Sequence, residues 1–168
     1  MTYQSHIDNA SELLKKSYGK FANPTPQTAN SIIPIGSWTD PNGIITKTVD
    51  EDTLVIPQGY QVQLIASFYT ERATGTDPHY AYCQMRWFDE TNTTYIGTQA
   101  TVNSQWPLSG GTNVHCNAAL AFVDSSSGAI TVSCKMKSFS VSVPTNISAS
   151  RFSTYGSTSW LAAIAAPV

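Results

Sequence analysis

The sequence predicts an all-β protein: an antiparallel β-sandwich entered through a short N-terminal helix and a proline-rich linker. Three observations carry that expectation. From Ser31 onward, apolar side chains recur at every second position in window after window, the period of half-buried strands. Turn-forming clusters separate the windows, among them Asp40-Pro41-Asn42-Gly43, Pro57-Gln58-Gly59 and Asp124-Ser125-Ser126-Ser127-Gly128. No helical pattern is interleaved with them, so the strands must pair antiparallel and bury their apolar faces against one another. At 168 residues the chain is long enough for one substantial core and too short for two large ones.

Residues 2–21 predict the single helix. Ile7, Leu14, Tyr18 and Phe21 recur at helical spacing, Glu12 precedes Lys15 and Lys16 by three and four positions, and Gly19 supplies a stop. Ala22 to Asn30, with Pro24 and Pro26, reads as an extended, semi-rigid linker. Residues 1–30 are therefore expected to form an arm and residues 31–168 the sandwich.

In the sandwich, Ile32, Ile33, Ile35 and Trp38 make a first strand interrupted by Pro34, which suits an edge or a bulge. Short strands over 43–49 and 53–56 flank the acidic turn Asp50-Glu51-Asp52. Residues 60–70 are a longer strand with Tyr60, Val62, Leu64, Ala66 and Phe68 on one face. After a polar loop over 71–78, residues 79–89 place Ala81, Cys83, Met85 and Trp87 on one face and Tyr80, Tyr82, Gln84, Arg86 and Phe88 on the other. That second face is amphipathic enough to need a cover. Residues 93–102 give a short strand or pair around Gly97, followed by a loop over 104–112 carrying Trp106-Pro107 and Gly110-Gly111.

The longest signal runs from Val114 to Val143. It predicts two long strands joined as a hairpin by the turn at 124–128, with Val114, Cys116, Ala118, Leu120 and Phe122 inward on the first arm and Ile130, Val132, Cys134 and Met136 inward on the second. Beyond Met136 the apolar positions shift to Phe139, Val141 and Val143, as a one-residue bulge would cause. Strands over 147–155 and 157–166 finish the chain. The last, Trp160-Leu161-Ala162-Ala163-Ile164-Ala165-Ala166, is apolar on both faces, which predicts a central strand or one at a subunit interface. Eight to ten strands in this length favour a jelly roll; an immunoglobulin-like sandwich lacks its Cys–Trp–Cys framework here.

Composition narrows the function. Charged residues are 12% of the chain, against about 25% in ordinary domains. Ser, Thr, Asn and Gln replace them, a surface suited to extracellular β modules, lectins and virion proteins. A net charge of −2 without a basic cluster argues against nucleic-acid binding. No apolar run reaches the ~18 residues of a membrane span. The first residues lack the basic region and apolar core of a signal peptide. Cys83, Cys116 and Cys134 are odd in number and in phase with apolar neighbours, hence expected as buried free thiols, which implies folding in a reducing cytoplasm.

The search for chemistry predicts no catalytic residue, no metal and no cofactor. His6, His79 and His115 lack zinc-ligand spacing. There is no Gly-x-Ser-x-Gly elbow. Asp40, Asp50, Glu51 and Asp52 lack the EF-hand pattern and read as a solvated turn. The carboxylate pairs Asp89/Glu90 and Glu71/Asp77 lie where ordinary surface charges lie. Asn9, Asn92 and Asn146 begin glycosylation-type triplets that read as chance matches. Trp106, bounded by Pro and Gly, is the candidate exposed aromatic for a sugar or protein partner.

The helix and Pro-rich stalk over 2–30, the Ser/Thr/Asn-rich β body and the closing stretch Gly156-Ser157-Thr158-Ser159-Trp160-Leu161 together resemble jelly-roll virion proteins of tailed bacteriophages. These are the capsid decoration (cement) proteins and the tumour-necrosis-factor-like or C1q-like heads of fibres. The resemblance covers the whole chain in style and implies a structural virion protein, a homodimer or homotrimer, made in the host cytoplasm. As a decoration protein it would bind the major capsid protein or another virion protein through Tyr3, Ile7, Leu14, Tyr18 and Phe21, and its own copies through Trp160, Leu161 and Ile164. As a fibre or spike head it would bind a receptor or glycan through loops such as that of Trp106. A small β-sandwich hydrolase is the third reading.

Overall fold

The computed structural model describes residues 14–22, 30–67, 70–72, 79–106, 118–142, 152–154 and 159–168. Two five-stranded antiparallel sheets face each other across one core. The strands are β1 (Lys15–Phe21), β2 (Ile35–Thr39), β3 (Thr46–Lys47), β4 (Leu54–Ile56), β5 (Tyr60–Ser67), β6 (Thr70–Arg72), β7 (His79–Asp89), β8 (Thr94–Trp106), β9 (Ala118–Asp124), β10 (Ile130–Ser142), β11 (Phe152–Thr154) and β12 (Trp160–Pro167). The first sheet runs β2-β1-β12-β5-β9 and the second β3-β4-β10-β7-β8; β6 and β11 form a separate small ribbon. Among the eight principal strands the first pairs with the last (β1 with β12), the second with the seventh (β4 with β10), the third with the sixth (β5 with β9) and the fourth with the fifth (β7 with β8). That nested order is compatible with a jelly roll.

The predicted N-terminal helix needs correction. Lys15–Phe21 is a strand, hydrogen-bonded to β12 on one side and β2 on the other. Ser17, Gly19 and Phe21 point inward and are buried. Leu14, Tyr18 and Phe21 have helical spacing, but β12 along Lys15–Lys20 and β2 along Tyr18–Phe21 pair the stretch as a ladder, and pairing overrides local propensity. Residues 1–13 and the linker prolines Pro24 and Pro26 lie outside the described residues.

The expected hairpin is also revised. β9 pairs with β5 in the first sheet, while β10 pairs with β4 and β7 in the second. The turn at 124–128 therefore carries the chain across the core from one sheet to the other. Ser125, fully buried, pins that crossing: its hydroxyl donates toward the Pro57 and Tyr60 carbonyls (2.6 and 2.9 Å) and accepts from the Tyr60 N–H (3.1 Å). The bulge is found where the apolar phase shifts, with Met136 opposite Met85 and Ser138 opposite Gln84, leaving Lys137 over. Pro34 divides the first predicted strand. Ile32 and Ile33 lie along β10, whereas β2 joins the first sheet.

The core pairs unlike layers. The first sheet contributes small side chains (Ala66, Ala119, Ala121, Ala163, Ala165) with Val62, Leu64 and Leu161, and the second contributes Met85, Trp87, Val132, Cys134 and Met136, all buried. Trp87 spans the gap, and its Nε1 donates to the Ala119 carbonyl at 3.2 Å. β8 is one long strand, not a short strand or pair, and it bulges at Gly97, where φ is +69°. There β8 closes the sandwich edge against β9: the Leu120 N–H donates to the Thr98 hydroxyl at 3.1 Å.

Candidate functional site: the outer face of the first sheet

The outward faces of the two sheets differ in kind. Among the described residues of the second sheet, several outward side chains pair with one another. Lys135 lies 2.8 Å from the Glu90 carboxylate and 3.6 Å from the Phe88 ring centroid. The Ser133 hydroxyl donates to Glu90 at 2.6 Å, Phe88 and Tyr95 meet edge to face at 5.0 Å, and Arg86 Nε donates to the Ile96 carbonyl at 3.2 Å. Of the amphipathic face of β7, Phe88 is covered by the Lys135 ammonium; the Tyr80 and Tyr82 side chains lie outside the described part.

The first sheet offers the opposite. Strand registers lay out rows of outward residues across β1, β12, β5 and β9: Tyr18, Ala162, Ile65 and Leu120 in one, and Lys16, Ile164, Gln63 and Phe122 in the next. A third holds Lys20, Trp160, Ser67 and Ala118, and a fourth Ala166, Gln61 and Asp124. Phe122 is 77% exposed, Tyr18 59%, Leu14 46% and Trp160 44%. Scattered surface hydrophobes need no explanation; a contiguous set on one sheet face does. Two hollows flank the patch. One, of about 430 Å³, is lined by Leu14, Gln61, Gln63, Phe122, Asp124 and Ile164. The other, of about 270 Å³, lies among Tyr18, Lys20, Ser37, Thr39 and Trp160.

Charges sit at the rims. Lys16 and Lys20 lie on β1, and Asp124 ends β9. The Ser126 N–H, donating at 2.9 Å, holds the Asp124 carboxyl below the usual carboxylate range, and the Ser126 hydroxyl and Gln61 amide act in the same direction.

The residues expected to bind partners separate in the structure. Leu14 and Tyr18 are on this outer face, whereas Phe21 is in the core, and Tyr3 and Ile7 lie outside the described residues. Of the expected interface set, Trp160 and Ile164 face outward and Leu161 faces the core. β12 is the central strand of its sheet, which accounts for its apolar character on both faces. Trp106 ends β8 opposite His79 instead of occupying a loop, and its side chain is outside the described part. Cys134 is buried and unpaired; Cys83 and Cys116 side chains fall outside the description. Leu120 and Phe122 were assigned inward from their alternation, but β9 is in the other phase, with Ala119, Ala121 and Val123 buried.

The acidic turn is spoken for in part. Asp52 pairs with Lys47 at 3.1 Å and accepts from the Ile35 N–H at 3.1 Å, while Glu90, across a neighbouring hollow, is held by Lys135. Among the described residues, no group of three or more His, Cys, Asp or Glu is placed to hold a metal ion. No helix among them is long and apolar enough to cross a membrane.

No protein-family model matches the chain, and no curated protein sequence does. Among solved structures, the Eiger TNF from S. frugiperda is similar over 90% of this chain and 90% of its own, at 10% identity and a TM-score of 0.43. A likeness at that distance brings no function with it.

Proposed function

We propose that this chain is a non-catalytic structural subunit of a phage virion, a jelly roll that associates with its own copies through the outer face of the first sheet and decorates an assembled shell. The observation that carries the self-association is the contrast between the two sheets. Among the described residues, the outward side chains of the second sheet pair as Lys135–Glu90 and Phe88–Tyr95, whereas the first sheet leaves Phe122, Tyr18, Trp160 and Leu14 in water. The low charge content and amide- and hydroxyl-rich surface support a particle component. The correction at β1 moves the contact residues Leu14 and Tyr18 from a helical arm to the sheet face they share with Trp160 and Ile164. Light scattering on the intact chain tests the association: a dimer or trimer is expected, and a monomer up to the solubility limit overturns the reading. Co-sedimentation with assembled phage shells tests the decoration.

A second reading is favoured by one specific feature. The hollow at Trp160 places an indole and the Tyr18 phenol beside Lys20 and the Ser37 and Thr39 hydroxyls, a combination that stacks on and hydrogen-bonds to a sugar ring. A glycan-binding fibre head would use it. Quenching of tryptophan fluorescence by a panel of bacterial surface glycans, abolished by Trp160→Ala, would favour this reading over decoration.

A further inference from the structure

We infer that self-association joins unlike regions of the outer face, the Lys16–Lys20–Trp160 side of one copy meeting the Phe122–Asp124 side of the next. This rests on the self-association proposed above and specifies its geometry. The two cations and the anion are segregated. Lys16 and Lys20 lie on β1, Asp124 on β9, with β12 and β5 between them. Neither lysine forms a salt bridge among the described residues. A contact that superposed like regions would bring lysines against lysines and Asp124 against Asp124 while removing water from both. A contact between unlike regions pairs them.

Shape agrees with charge. The 430 Å³ hollow lies at the Asp124 end, walled by Phe122, Ile164 and Leu14 and floored by the Gln61 and Gln63 amides. It has room for a ring from a neighbour. The ring-bearing positions beside the lysines are Tyr18 and Trp160, both substantially exposed. The Asp124 carboxylate accepts from the Ser126 N–H at 2.9 Å and stays at the surface. Unlike charges facing each other across a patch speed encounter and set its register.

The test is compensation by charge reversal. One variant carries Lys16→Glu with Lys20→Glu, a second carries Asp124→Lys, and a third carries all three. The association constant of each is measured by sedimentation equilibrium at physiological ionic strength, with a thermal melt to confirm folding. The first two should associate about tenfold or more weakly than the parent, and the triple variant should recover most of the loss. β1 and β9 are three strand spacings apart, roughly 14 Å, beyond the ~8 Å screening length at physiological salt. Compensation must therefore arise between copies and not within one. Asp124→Asn, which keeps the turn hydrogen bond and drops the charge, should weaken association to a lesser degree and guards against a misfolded turn in Asp124→Lys. A triple variant no tighter than the double lysine variant overturns the unlike-region contact. If charge changes have no effect while Phe122→Ser weakens association, the contact geometry is wrong and self-association stands. A monomeric parent overturns both.

Discussion

Phe122→Ser separates folding from assembly, because the residue is on a strand yet 77% exposed. Its neighbours across the sheet are Gln63 and, through it, Ile164, so the ring rests on the sheet edge without entering the core. Full burial of a phenylalanine stabilises by ~1.5–3 kcal/mol. If a second copy covers the exposed share, the contact contributes about 1.2–2.3 kcal/mol, or roughly 7–50-fold in the dissociation constant. The isolated subunit should scarcely notice, since surface substitutions away from special features usually shift stability by less than about 0.5 kcal/mol. The assay pairs sedimentation equilibrium across a dilution series with a thermal melt below the dissociation constant, where association no longer adds to stability. The expected result is a weakened association with an unchanged monomer melt. An unchanged dissociation constant refutes the placing of Phe122 in a contact. A melt lowered in step with association refutes the claim that its role lies outside the subunit core.

Three further outcomes test the fold that presents this face. Gly97→Ala would set a Cβ 1.9 Å from the Leu120 carbonyl and 2.6 Å from Ala121 Cα at a positive φ, so it should cost more than about 4 kcal/mol by urea denaturation, whereas Gly128→Ala, with nothing within 4 Å, should cost little. Ser125→Ala leaves the Tyr60 N–H without its 3.1 Å acceptor at the crossing between sheets and should cost about 1–3 kcal/mol in the same experiment. Burial pushes the Cys134 thiol well above its ordinary range, so iodoacetamide at pH 8 should label its peptide no faster than the chain unfolds, as peptide mass spectrometry would show. The same shift sets a sign for pH: below the unfolded thiol value of ~8.5 the contribution is fully present, and as pH rises from there toward the folded value the unfolded chain loses a proton the folded chain keeps, so stability falls.

Much of the sandwich is legible in the sequence where one face of a strand is apolar and the other is not. Val62, Leu64 and Ala66, then Met85 and Trp87, then Val132, Cys134 and Met136 are assigned inward by alternation and are buried. The bulge after Met136 is legible because it flips the phase. What alternation does not encode is the partner. The run around 124–128 has every local mark of a hairpin, yet β9 and β10 belong to different sheets, because the turn is tied to Pro57 and Tyr60 and not to a ladder between its own arms. β1 is illegible for another reason. Two of its three inward positions are the small Ser17 and Gly19, so the period-two signal is weak and a helical spacing of Leu14, Tyr18 and Phe21 takes its place.

The misreading of β9 is the most informative of these. The rule that larger apolar residues point inward selects Leu120 and Phe122, yet Ala119 and Ala121 face the core. Opposite β9, Trp87 reaches across to the Ala119 carbonyl, which places a large side chain from the second sheet where β9 presents Ala119 and Ala121. β12 likewise turns Ala163 and Ala165 inward, with Leu161, while Trp160 and Ile164 face outward. A thin-walled interior accounts for where the alanines are; it does not account for large apolar residues on the water side, where Ser or Thr, plentiful elsewhere in the chain, would fold as well. Phe122 and Trp160 keep much of their apolar surface in water in the single subunit, which is the exposure the proposed self-association would relieve. The strand whose phase defeats the folding rule is thus the strand that carries Phe122, the most exposed large apolar side chain described on that face.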